Sequence, residues 1–424
     1  MYRGRYAVLD RIAFALSALV YTFLSARTIP KEEYGILMIA LSIGNFLNLA
    51  CEAGVGSAMV KYGAEERSNF GEVFFSAVAL KLLFAACLSI ILVALSRNIA
   101  VLLHDQRLLT PIRLLPVLAF ATALNNSLRQ GMQARQEVKK MFLMDTVALG
   151  VVILLYGSLA LTGRLKSASG VIAIACCGGF SAVLFGAVAW LARLKLKVGI
   201  EKKTVFKLLN FGKYSTLSEL GTILYSRIDT VMIGFFLTGL AAATYNAAWV
   251  LSYGVNLLMS AISLLALPVA SIAHSRGSKG DLREIYETTT AVALTCTIPL
   301  FLVLVTFAHP IIRILYSNRY PDAVVVLRIL AIWWLIKPFG TMAGNIFYGA
   351  GRPRTLAIIT LGTVVLNVIA NLVLIPRYGI AGAAWASIIS FSVGILIGYY
   401  LMRKWLGVSM MGIAARLGRI PRHV

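Results

Sequence analysis

Of 424 residues, 59% are hydrophobic and 13% charged, and 40 Lys and Arg against 17 Asp and Glu give a formal net charge of +23. An ordinary soluble domain carries roughly 25% charged residues, so this composition, with a mean hydropathy of +0.83, excludes one and indicates an all-α polytopic membrane protein. The basic excess does not point to nucleic acid, because Lys and Arg alternate between loops instead of forming one patch.

Apolar runs predict about twelve spans, near residues 6–27, 34–58, 73–96, 112–132, 141–163, 168–192, 212–237, 241–270, 286–308, 322–348, 355–375 and 380–402. With the N-terminus inside, about 25 Lys and Arg fall on cytoplasmic segments and about 10 on outer ones. That positive-inside bias puts both termini in the cytoplasm and the chain in the cytoplasmic (inner) cell membrane. Asp10 and Arg11 interrupt the first apolar run, which reads as an uncleaved helix and not a signal peptide. Cys51, Cys87, Cys176, Cys177 and Cys296 all lie in apolar runs without a CxxC pair, and read as small core hydrophobes.

Span 2 carries Asn45, Asn48 and Glu52 at steps of three and four, a polar stripe for a cavity or for a neighbouring helix. Lys81 in span 3 is an intramembrane cation that structural pairing with Asp145 or Glu52 would explain as well as a functional role. Span 4 repeats the polar pattern with Thr122, Asn126, Arg129 and Gln133, Arg129 being long enough to snorkel to the cytoplasmic surface. Residues 194–211 form the most basic segment, near the middle of the chain, and read as a cytoplasmic linker with an amphipathic piece on anionic lipid. The predicted organisation is therefore a six-helix bundle over 1–193, the linker, a second six-helix bundle over 212–405, and a basic cytoplasmic tail over 406–424. A shift of 211 residues overlays Tyr34 and Asn45 on Tyr245 and Asn256, as an internal repeat would.

Span 7 is the most informative. Ser215, Glu219, Thr222, Ser226 and Asp229 fall on one arc of it, whereas Arg227 lies about 200° round from Asp229 at 100° per residue, so the two cannot pair within the helix. Ionisable groups in mid-membrane cost several kcal/mol unless they face a wet path or a partner. Span 8 aligns Asn246, Trp249, Tyr253, Asn256, Ser260 and Ser263. Aromatics with amides suit a sugar, and suit an aromatic belt with helix packing equally. Span 10 holds Lys337 ahead of Pro338, a predicted kink, with Thr341 and Asn345 on the same face. Span 11 continues with Thr360, Thr363, Asn367 and Asn371. The four His are scattered, and no metal-ligand spacing, phosphate loop or nucleophile elbow occurs, so neither an enzyme nor a cofactor is expected.

ARTIPKEEYGILMIA, EAGVGSAMVKYGAE, SRIDTVMIGFFLTGLAAATYNAAW, GAGRPRTLAII and VLNVIANLVLIPRYGIAGAAWAS, in this order, resemble the polysaccharide or O-antigen flippase branch of the multidrug, oligosaccharidyl-lipid and polysaccharide exporter superfamily. The resemblance implies two six-helix bundles forming a V around a central cavity lined largely by spans 1, 2, 7 and 8, worked by alternating access. It also implies translocation of a polyprenyl-pyrophosphate-linked oligosaccharide from the inner to the outer leaflet, with membrane lipids and polysaccharide assembly proteins as neighbours. The expected pyrophosphate ligands are Arg11, Arg227, Lys337 and Lys81; the sugar ligands are Asn45, Asn48, Trp249, Tyr253 and Asn256; a coupling proton or sodium ion would use Asp229, Glu219 and Glu52. The alternatives are a multidrug or cation antiporter of the same superfamily and a membrane glycan polymerase or ligase. Buried cations argue against the first, and short outer loops against the second.

Overall fold

The computed structural model describes residues 21–52, 54–65, 69–194 and 199–418, with the side chains of 193, 213–220, 222, 223, 225, 264, 265 and 268 outside that description. The described chain is helical: α1 (21–28), α2 (Lys31–Glu52), α3 (Val55–Glu65), α4 (Phe70–Leu102), α5 (Leu109–Ala134), α6 (Val138–Leu161), α7 (Ala168–Ala189) and α8 (Lys202–Phe236). It continues through α9 (Gly239–Tyr253), α10 (Val255–Ser275), α11 (Lys279–Thr306), α12 (Ala308–Tyr316), α13 (Ala323–Ala331), α14 (Trp333–Gly349), α15 (Pro353–Leu406) and α16 (Met410–Leu417).

Among the described residues, seven helical segments are long and apolar enough to cross a membrane, and α13 with α14 makes an eighth span. Their outer surfaces suit lipid: Ile90, Leu154 and Ile358 are 70%, 74% and 72% exposed, which only an apolar surrounding tolerates on this scale. The 54 residues of α15 would run about 80 Å as one helix, far beyond a ~30 Å hydrocarbon core. Gly379 resolves this with a non-helical φ of 58° and ψ of −140°, open only to glycine, which folds α15 into a hairpin. Asn367 Nδ2 then reaches Ser387 Oγ on the other arm at 3.4 Å, while Asn371 Nδ2 donates to Asn367 Oδ1 at 3.1 Å along the first arm.

The bend that Pro338 predicts falls elsewhere. The axes of α13 and α14 turn by 40° at Ile332, and Pro338 sits inside α14. The Ile332 and Leu335 amides bond to carbonyls three residues back, a tightened turn that absorbs the change of direction.

Contacts divide the chain into residues 1–243 and 244–424. In the first unit α5 packs on α4 and α7, and α8 lies against α2, α3 and α4. Glycines set two close approaches: a Cβ on Gly35 would lie 1.7 Å from the Gly239 carbonyl oxygen at the start of α9, and one on Gly54 2.1 Å from that of Gly212 on α8. The basic segment before span 7 is also built into this unit. Its residues from Lys202 onward are the opening turns of α8, where Leu208 is fully buried and Thr204 Oγ1 donates to Glu72 at 2.6 Å, although Phe206 stays exposed. Lys207 Nζ stands 4.1 Å from the Tyr62 ring centroid, a cation–aromatic contact that ties the segment to α3. In the second unit α14 packs on α10, α11 and α15, and Asn345 Nδ2 donates to Ser263 Oγ at 2.9 Å.

The turn between α5 and α6 carries a pH-dependent fastening. Glu137 accepts from Trp190 Nε1 at 3.1 Å and from Lys140 Nζ at 2.5 Å. Burial opposes its ionisation, but these bonds outweigh burial and hold the carboxyl below its usual range. A depressed carboxylate stabilises the fold above its unfolded pKa, and that contribution disappears as pH falls through the folded value. Glu137→Gln is expected to lower stability by about 1 to 2 kcal/mol near neutrality. Thermal melts of variant and parent are expected to converge as pH falls below about 4.

Candidate functional site

The first unit gathers polar residues from α2, α4 and α5. Lys81 on α4, fully buried, places Nζ 2.6 Å from Glu52 Oε2 and donates to Gln130 Oε1 at 2.5 Å. Glu52 also accepts from Asn126 Nδ2 at 2.9 Å and from Gln130 Nε2 at 3.3 Å. Of the two acids the sequence left open for Lys81, Glu52 is the one that pairs; Asp145 pairs with Arg129 across α5 and α6, so Arg129 does more than reach for the surface. Glu52, Asn126, Arg129, Gln130, Gln133 and Ser57 line a cavity of about 270 Å³. Gly56 leaves room for this network: a Cβ there would stand 2.2 Å from Gln130 Nε2 and displace the Gln130 side chain. Lys81 and Arg129 each face a carboxylate, so the lining of this cavity is polar and carries charges of both signs.

On α8, Asp229 is 3% exposed and Arg227 half-buried. Arg11 and the side chain of Glu219 lie outside the described residues. On α2, Asn45 and Asn48 are half-buried, and Asn45 Nδ2 donates to the Leu41 carbonyl at 2.7 Å.

The second unit assembles a cation and aromatic cluster. Trp249 stacks on Tyr253 with centroids 4.4 Å apart, Tyr253 meets Trp333 edge-on at 6.2 Å, and Trp333 meets Phe391 at 4.9 Å. Lys337 Nζ stands 5.2 Å from the Trp333 centroid and 5.8 Å from that of Phe391. This cluster unites Lys337 with Trp249 and Tyr253, which the sequence assigns to different parts of a ligand. Asn256 extends it less directly, since its Nδ2 donates to the Tyr253 carbonyl at 3.0 Å. The sequence reading missed Trp333 and Phe391. Trp333 precedes Lys337 by one helical turn and was legible as its neighbour; Phe391 arrives from α15 only through folding.

The described chain is that of an all-helical polytopic membrane protein with ionisable and aromatic groups inside its helical units. Its fold matches two such solved structures: the inward-facing conformation of a multidrug resistance MATE family transporter of the MOP superfamily, and lipid II flippase MurJ in an inward closed conformation. The first match has a TM-score of 0.76 at 17% identity over 98% of this chain and 95% of that one, and the second 0.72 at 16% over 97% and 90%. The chain belongs to the polysaccharide biosynthesis protein family, whose model matches residues 24–325. Among curated relatives, the Probable low-salt glycan biosynthesis flippase Agl15 of Haloferax volcanii is 28% identical over 211 residues, 49% of this chain and 45% of that protein. The chain thus spans less than half the length of that relative. Uncharacterized membrane protein MJ1375 of Methanocaldococcus jannaschii is 25% identical over 407 residues, 91% of this chain and 94% of that protein.

Proposed function

We propose that this protein is a flippase that moves a polyprenyl-pyrophosphate-linked oligosaccharide from the inner to the outer leaflet by alternating access, for export of a cell-surface polysaccharide. Membership of the polysaccharide biosynthesis family over residues 24–325 carries the reading. The name of its Haloferax volcanii relative, a glycan biosynthesis flippase, supports it. The proposal includes twelve spans in two six-helix halves, 1–193 and 212–405, joined by the basic segment 194–211, in a cytoplasmic membrane with both termini and the tail 406–424 inside.

The chemistry of the load fits the cations. A dianionic pyrophosphate cannot enter bare hydrocarbon, where an unpaired charge costs on the order of 10 kcal/mol. In this reading Arg11, Arg227 and Lys337 escort it, and the aromatic faces beside Lys337, with Asn45, Asn48, Trp249, Tyr253 and Asn256, hold sugar. Lys81 is the fourth cation of this set, and it is paired with Glu52 at 2.6 Å. Asp229, Glu219 and Glu52 are the coupling acids. A load of charge about −2 leaving a cell negative inside gains roughly 4 to 5 kcal/mol per 100 mV, so the membrane potential assists the outward step.

A multidrug or cation antiporter is the second reading, favoured by the carboxylate of Glu52 on the first-unit cavity. Lys81 argues against it: with Glu52 neutralised at 2.6 Å, the cavity offers an organic cation little net attraction. Deleting the protein from its own cell tests the proposal. Lipid-linked oligosaccharide is expected to accumulate in the inner leaflet, shielded from an impermeant lectin, while unchanged outer-leaflet labelling and unchanged surface polysaccharide would overturn it.

Span 7 divides the labour. Arg227→Gln is expected to weaken pyrophosphate-headed substrate at every ion condition, whereas Asp229→Asn leaves binding largely intact and abolishes the ion dependence of turnover. Binding measured with variants of unchanged melting temperature checks this division. Wild-type affinity in Arg227→Gln, or full ion dependence in Asp229→Asn, contradicts it.

A further inference from the structure

At the end of the second unit that carries Arg276, Lys279, Arg352, Arg354, Arg403 and Lys404, a second cavity of about 280 Å³ opens, lined by Phe347, Arg352, Thr355, Leu401, Lys404 and Trp405. It joins the C-terminal turn of α14 to both ends of the α15 hairpin, residues far apart in sequence. Its floor is a stack of planar groups. The Phe347 and Trp405 rings lie 6.3 Å apart at an interplanar angle of 9°, and the Arg352 guanidinium sits 4.0 Å from the Trp405 centroid. The contact with Trp405 holds Arg352 at the pocket, where its guanidinium N–H groups can donate to an oxyanion. Lys404 adds a second positive charge and Thr355 a hydroxyl. Among the described residues neither Arg352 nor Lys404 forms an ion pair, in contrast to Lys81, Arg129, Arg283 and Arg416, which all meet carboxylates.

The surroundings define the rest of the ligand. Along α15 from this pocket, Ile358, Ile397 and Tyr400 are exposed, an apolar surface suited to an acyl or prenyl chain. A ligand that used the whole environment would carry an anionic oxygen-rich head for Arg352, Lys404 and Thr355 and an apolar chain for that surface. We propose that this pocket binds the phosphate of a membrane lipid, with the head on the Arg352 and Lys404 side chains and the tail along α15. Two lipids carry this chemistry, an anionic glycerophospholipid and a polyprenyl pyrophosphate; inorganic phosphate carries the head alone.

The test uses the purified full-length protein in detergent and native mass spectrometry, with phosphatidylglycerol, polyprenyl pyrophosphate, phosphatidylcholine and inorganic phosphate as probes. Phosphatidylglycerol or polyprenyl pyrophosphate is expected to bind at least tenfold more tightly than phosphatidylcholine or inorganic phosphate, and the tighter of the two identifies the source. Arg352→Gln with Lys404→Gln is expected to weaken that binding about thirtyfold, as the loss of two surface cations would. Arg354→Gln with Arg403→Gln, which removes the same charge from exposed positions outside the pocket, is expected to change it less than about twofold. The conservative pair Lys404→Arg with Arg352→Lys keeps the charge and is expected to retain part of the affinity, losing what the planar fork contributes. Equal weakening by both neutralising pairs means a diffuse basic surface and overturns the proposal. So does equal binding of phosphatidylcholine, or inorganic phosphate binding as tightly as either lipid. A neutralising pair that melts below the parent is replaced by Thr355→Val, expected to weaken binding several-fold; unchanged affinity in that variant also overturns the site.

Discussion

Lys81→Met is expected to lower the stability of the protein by about 3 to 5 kcal/mol, the usual cost of removing one member of a buried ion pair. Lys81 is fully buried and Glu52 17% exposed, so the surviving carboxylate keeps Asn126 and Gln130 but loses the cation that neutralises it. Adding Glu52→Gln removes the stranded charge and is expected to restore most of the loss, since a neutral amide can still bond to Gln130 and Asn126. Thermal melts of both single variants and the double variant in one detergent measure the coupling. A Lys81→Met protein as stable as its parent, or a double variant no better than Lys81→Met alone, contradicts the pairing.

Glu287→Ala is expected to release α16. Glu287 on α11 is 1% exposed and gathers three donors: Arg283 Nε at 3.0 Å, the Ser409 backbone N–H at 3.1 Å, and Arg416. Gly412 passes so close that a Cβ there would stand 2.5 Å from the carboxylate, and Ile413 is buried in the core of the second unit. Both arginines retain solvent contact, at 45% and 29% exposure, and rehydrate when the acid is removed. The expected cost is therefore about 2 to 3 kcal/mol, below that of a fully buried pair. Hydrogen exchange is expected to rise through residues 409–418 while α11 and α14 remain protected. Unchanged protection at Gly412 and Ile413 would show that apolar packing alone holds the helix.

How far these features were legible depends on whether they are local. The polar stripe of Asn45, Asn48 and Glu52 and the intramembrane position of Lys81 are set by helical periodicity, and the sequence carries them. The partner of Lys81 is not, because Glu52 and Asp145 are equivalent acids until α2, α4 and α5 are packed. Lys337 was legible, whereas its Phe391 neighbour comes from the far arm of a hairpin that Gly379 turns. The basic segment 194–211 carries a second signal beside its charge. Its Lys residues dominate the composition, while Val205, Leu208 and Phe211, three residues apart, already mark a packing face. Pro338 misled because a proline inside a membrane helix can be accommodated by its neighbours, leaving the bend to a tightened turn at Ile332. The close approaches at Gly35 and Gly54 have no sequence signature beyond the glycines themselves, and glycine is common in membrane helices for several reasons.

The role of the protein rests most directly on what it moves. Purified full-length protein reconstituted in vesicles, assayed side by side with a polyprenyl-pyrophosphate-linked oligosaccharide and with ethidium, is expected to transfer the lipid-linked sugar between leaflets. That transfer is expected to be faster with a potential negative on the donor side, and ethidium is expected to stay put. Ethidium movement driven by a proton or sodium gradient, with the lipid-linked sugar left in its original leaflet, would contradict the flippase reading and establish the antiporter in its place.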